Sequence, residues 1–151
     1  MIVNPTQTLS KILNIREKEK KDAQLAHYES TIYFEEVASK LHSLLVEKES
    51  AEELYQNAVG KVTSIDKIRE QTAYIEYLTK QIVVMQEEVN EARSTMEVKQ
   101  GKLTDAHVEV KKYEKIIEFR KLEHLKSELR EDQIMMDEIS TQQYVSRKIG
   151  D

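Results

Sequence analysis

The amino-acid sequence predicts an all-α fold, a long antiparallel two-helix coiled-coil hairpin whose second helix overhangs the first at the open end. Three observations carry this expectation. The single proline is Pro5 and the only glycines are Gly60, Gly101 and Gly150, so long stretches contain nothing that breaks a helix. Apolar residues recur alternately three and four apart through most of the chain, which is the spacing of a coiled-coil seam. One short stretch, Gly60 to Asp66, separates two such seams. Aromatic residues make up only 6% of the chain and tryptophan is absent, so the apolar side chains suit a narrow seam better than a globular core.

The first helix is expected over about 8 to 59, with a seam through Leu9, Leu13, Ala23, Phe34, Val37, Leu41, Leu44, Ala51, Tyr55, Ala58, Val62 and Ile65. The turn follows at about 60 to 66. There Gly60 suits a helix C-terminus, and Thr63, Ser64 and Asp66 are candidate caps for the next helix. The second helix is expected over about 67 to 145. Its seam runs through Ile68, Ile75, Leu78, Ile82, Met85, Val89, Ala92, Met96, Leu103, Ala106, Val110, Tyr113 and Ile117, broken by Gln71 and Lys99. The whole chain, 1 to 151, reads as a single coiled-coil domain. One unbroken helix pairing with another chain would use the same seams, so the turn decides between the two architectures.

Folding back at the turn pairs Val37 with Val89, Leu41 with Met85 and Leu44 with Ile82. Small residues then face large ones, Phe34 with Ala92 and Ala51 with Ile75, which fills the gap between helices without voids. Phe34, Val37, Leu41, Leu44, Ile75, Ile82, Met85 and Val89 are therefore the expected core. A register one heptad shorter would set Lys20 against Lys99. In the preferred register His27 meets Lys99 as a polar layer that fixes alignment, and Leu9 lies beside Ile117. Beyond about residue 118 the second helix has no partner. Leu122, Leu125, Leu129, Met136 and Ile139 continue in a shifted phase, an apolar stripe suited to docking.

The composition narrows the function. No cysteine is present, which excludes disulfides and thiolate chemistry. His27, His42, His107 and His124 are scattered, with no spacing for a metal site. Adjacent carboxylates such as Glu87 and Glu88 diverge by about 100° on a helix and cannot converge on one substrate. No phosphate loop, nucleophile elbow or HExxH motif occurs, so neither an enzyme nor a cofactor is expected. A net charge of -5 argues against nucleic-acid binding. The longest strongly apolar run, Ile82 to Met85, is far shorter than the roughly 20 residues of a membrane span. The opening MIVNPTQTLSK has no signal-peptide core, so any membrane association is expected to go through a partner.

Partner surfaces remain. Residues 11 to 21 and 111 to 130 are each net basic, and folding brings most of these charges to the open end, while the half nearer the turn is rich in glutamate. Tyr77, Val84 and Val98 share one outward heptad position on the second helix and mark a possible second partner surface.

Two local signatures resemble the flagellar export protein FliJ family. The stretch Leu9 to Glu19 (LSKILNIREKE) looks like that family's apolar pair followed by an Arg-Glu-rich helix start. The stretch from Lys112-Tyr-Glu-Lys-Ile-Ile through Asp137-Glu138 is similar to its Lys/Glu-rich run ending in an Asp-Glu pair. The resemblance implies a cytoplasmic, non-enzymatic, monomeric hairpin, peripherally associated with the inner membrane through the type III export apparatus. It implies a stalk akin to the coiled coil of the rotary ATP synthase γ subunit. Its open end would insert into a hexameric FliI-like export ATPase, and it would contact the cytoplasmic domain of an FlhA-like gate and export chaperones. The positions matching the ATPase-binding end are Arg16, Glu17, Lys112, Glu114, Lys115, Asp137 and Glu138. Without that resemblance, the residues alone also fit a generic coiled-coil scaffold or spacer with no nucleotide-coupled role.

Overall fold

A computed structural model describes residues 5–61 and 64–150 of the chain. It is an all-α helical hairpin of two long helices packed against each other, with no strand among the described residues. The first, α1, spans Pro5–Val59 and the second, α2, spans Ile65–Ile149. Val62 and Thr63, a seam residue and a candidate cap in the sequence, lie outside the described residues.

The turn is made by short-range hydrogen bonds. The Lys61 N–H donates to the Ala58 carbonyl at 3.1 Å, closing the end of α1. Ser64 caps α2: its Oγ accepts the Lys67 N–H at 3.3 Å and its carbonyl accepts the Ile68 N–H at 3.4 Å. Asp66 sits in the first turn, where a carboxylate complements the helix dipole without being the cap. Gly60 does follow α1, but no glycine among the described residues has a positive φ, so it does not form the left-handed cap for which helices favour glycine. Ile65, read as the end of the first seam, instead opens α2 and is exposed.

The chain divides into two compact units. In the unit Lys21–Asp105, Val37, Val89 and Ala92 form a buried cluster against which Phe34, Leu41 and Met85 pack. Leu78 is the most deeply covered side chain at 1% exposure, and Ala51 and Ile82 are also buried. Leu44 and Ile75 are half-buried. Arg93 lays its guanidinium 5.7 Å from the centre of the Phe34 ring, covering the edge of the cluster while its charge stays in water. His27, Gln71 and Lys99 are half-buried along the seam. The His27 carbonyl also accepts the hydroxyls of Ser30 and Thr31 at 2.8 and 2.9 Å.

The second unit combines Met1–Lys20 with Ala106–Asp151. Val110 and Ile117 are its buried residues, with Leu9, Leu13, Ala106, Tyr113 and Ile116 half-buried. Every residue from 118 to 150 is exposed. That part of α2 stays helical to Ile149, with Arg147 and Lys148 in the last turn where positive charge suits the dipole. The Gly150 N–H closes onto the Ser146 carbonyl at 3.0 Å.

Candidate partner-binding surfaces

The unit containing Arg16 has the more articulated polar geometry. Arg16 occupies a seam position, three residues after Leu13 and four before Lys20, and its side chain is half-covered. Its Nη1 donates to both carboxylate oxygens of Glu19, at 3.0 and 3.1 Å. The guanidinium lies 5.8 Å from the centre of the Tyr113 ring on α2. Its Nε is buried without a hydrogen-bond partner. The bonds and charge of Glu19, followed by the contact with Tyr113, raise the Arg16 pKa, so the group stays protonated.

Lys112, next to Tyr113 in the chain, has its ammonium 5.9 Å from the centre of the same ring. Tyr113 thus gathers two of the residues matched to the ATPase-binding end, Arg16 and Lys112. The others are more dispersed. Glu17 and Lys115 are exposed, and Glu114 is held at 3.7 Å by Lys111 rather than by Lys112 or Lys115. Asp137 and Glu138 lie further along α2, on an exposed face with Ile134, Thr141 and Gln142; the Asp137 carbonyl accepts the Thr141 hydroxyl. The structure therefore brings Arg16 and Lys112 together and leaves Asp137 and Glu138 apart from them in sequence and in contacts.

Sequence periodicity missed Arg16 as part of the seam because a count of apolar residues treats arginine as a break. Its aliphatic stem nevertheless packs while its charged head reaches water. The signal was its heptad spacing from Leu13.

In the other unit, Tyr77, Val84 and Val98 are all more than half exposed. Separately, a groove of about 320 Å³ opens in this unit, lined by Val46, Glu47, Ala51, Leu54, Gln71 and Tyr74. The Oε1 of Gln71, one of the lining residues, is buried with no hydrogen-bond partner. An open apolar groove bordered by Glu47 suits a protein segment carrying apolar groups. Periodicity showed Gln71 only as a break in the seam and gave no sign of this groove.

Among the described residues, no group of three or more His, Cys, Asp or Glu side chains could hold a metal ion. No helix of the described residues is long and apolar enough to cross a membrane. What the exposed surfaces offer is charge and apolar area for other proteins.

A family model described as "Flagellar FliJ protein" matches residues 6–148. The chain is 32% identical over 140 residues to the flagellar FliJ protein of Bacillus subtilis (strain 168), covering 89% of this chain and 92% of that protein. It is also similar to the solved structure of a protein described as a YscO homologue from Chlamydia trachomatis, at 23% identity and a TM-score of 0.47, covering 98% of each chain.

Proposed function

Given that the chain belongs to the flagellar FliJ family, and so to the components of flagellar type III protein export, we propose that it is the non-enzymatic stalk of that apparatus. In this reading the end carrying Arg16, Glu17, Lys112, Glu114 and Lys115, continued by the exposed helix through Asp137 and Glu138, enters the centre of a hexameric FliI-like ATPase. A paired helix is stiff enough to sense or bias the conformations of ring subunits, and its basic groups are attracted to acidic loops around a channel.

The observation that supports this most is the fully exposed helical extension from 118 to 150, which continues from a seam ending at Ile117. Its apolar stripe through Leu122, Leu125 and Leu129 lacks cover within the described chain. A ring of subunits offers such cover on all sides, which a single flat partner does not.

The surface of Tyr77, Val84 and Val98, with the groove beside Gln71, is the proposed contact for the cytoplasmic domain of an FlhA-like gate. Export chaperones are further proposed partners. The protein would then be cytoplasmic and reach the inner membrane through the apparatus alone.

Binding tests the assignment. The intact chain should form a complex with the purified cognate export ATPase, and removing residues 118 to 151 should abolish it. Equal binding by the full and shortened chains would show that the extension is not the ring-binding element.

A further inference from the structure

Two exposed faces of this chain are complementary to each other. On α1, Leu25, Tyr28 and Ile32 are spaced three and four apart, so at about 100° per residue they share one narrow stripe. Each is at least 45% exposed. On α2, Leu122, Leu125 and Leu129 repeat that spacing, and each is at least 52% exposed.

The flanks of the two stripes are opposite in sign. Asp22 and Glu29 border one side of the α1 stripe, and Lys126 and Arg130 border the same side of the α2 stripe. Lys21 and Glu35, each seven residues from Tyr28, end the α1 stripe; Asp132, seven from Leu125, ends the α2 stripe, with Lys121 on its other side. None of these eight side chains is in an ion pair among the described residues.

When two helices pack antiparallel, flanks of the same name meet. Laying the α2 stripe antiparallel on the α1 stripe sets Leu25 against Leu129, Tyr28 against Leu125 and Ile32 against Leu122. The same placement brings Glu29 to Lys126 and Asp22 to Arg130 along one flank, and Lys21 to Asp132 and Glu35 to Lys121 at the two ends of the apolar stripe. Glu36 and Glu118 oppose it at one end. The parallel placement joins flanks of different name and keeps only one of these attractions, Glu29 with Lys121.

We propose that the Leu25, Tyr28 and Ile32 face is a docking site for the helical extension of a second copy of this chain. The occupant is another copy because α2 is one continuous helix from Ile65 to Ile149, and a continuous helix does not turn back onto its own partner. The contact joins two different surfaces, so copies associate head to tail instead of closing as a symmetric pair. It also occupies the extension, and competes with any other protein that takes the same stripe.

Mass in solution against concentration tests this with the full chain. The average mass should rise above the 17.7 kDa of one chain as concentration increases. Glu29→Lys and Lys126→Glu, both at exposed positions, should each weaken association on the order of tenfold. An equimolar mixture of the two variants should associate again, since every contact between unlike copies then pairs opposite charges. A mass that stays at one chain up to the millimolar range overturns the proposal. So does a mixture no heavier than either variant alone.

Discussion

The guanidinium of Arg16 on α1 lies 5.8 Å from the centre of the Tyr113 ring on α2, joining the helices at a seam position where an apolar side chain would ordinarily sit. Because Glu19 holds the same guanidinium at 3.0 Å, the arginine is fixed from its own helix and presented to the other. Arg16→Ala removes the ring contact and the cover given by the stem. Hydrogen exchange of residues 6 to 20 should become several-fold faster, while exchange around Val37 stays unchanged. Equal protection of residues 6 to 20 in the two proteins would mean that the contact adds nothing to the pairing.

The same clasp should not respond to pH in the physiological range. Glu19 and Tyr113 raise the Arg16 pKa in the folded state, so the stabilisation is fully present below the unfolded value and is lost only as pH rises through the folded one. Both values lie far above neutrality. Protection of residues 6 to 20, corrected for intrinsic exchange, should therefore be flat from about pH 6 to pH 9. A transition within that window would assign control to another group.

Neighbouring residues on α2 should differ sharply in cost. Leu78 is 1% exposed, so Leu78→Ala should lower unfolding free energy by about 2 to 4 kcal/mol. Tyr77 is 57% exposed, and Tyr77→Ala should stay within about 0.5 kcal/mol while removing a proposed partner contact. Urea unfolding of both variants checks the pair. Comparable losses would show that the seam runs through a different face.

The turn gives another contrast. Ser64→Ala removes the acceptor for the Lys67 N–H and should cost about 1 kcal/mol. Gly60→Ala should be neutral or stabilise by about 0.4 to 1 kcal/mol, because Gly60 lacks a positive φ and an added Cβ meets nothing within 4 Å. Thermal melts of the two variants should move in opposite directions, or only the serine variant should move.

How far the structure was legible in the sequence depended on whether a feature repeats. The heptad spacing of Val37, Val89 and Leu78 carried enough repetition to place them on the buried side of two helices, and the break near Gly60 placed the bend. Single interactions carry no such period. Whether Ser64 or Asp66 would cap α2, and whether Gly60 would adopt a positive φ, depends on local backbone geometry that neighbouring residue types permit but do not fix. Arg16 was missed as a seam residue because a count of apolar positions passes over arginine, although its long stem packs in the seam while its tip stays hydrated. The groove beside Gln71 needs side chains from both helices and leaves no pattern in either one alone.

The stalk reading is tested most directly by the rate at which the cognate hexameric ATPase hydrolyses ATP in the presence of this protein. Lys112→Glu combined with Lys115→Glu reverses two exposed charges and leaves Arg16 in its clasp, so the hairpin itself should be retained. The intact chain should stimulate hydrolysis and the double variant should lose most of that stimulation, with recovery at low salt reduced in step. Stimulation by the folded double variant equal to that of the intact chain, or no stimulation by either, would contradict a stalk acting through its basic end.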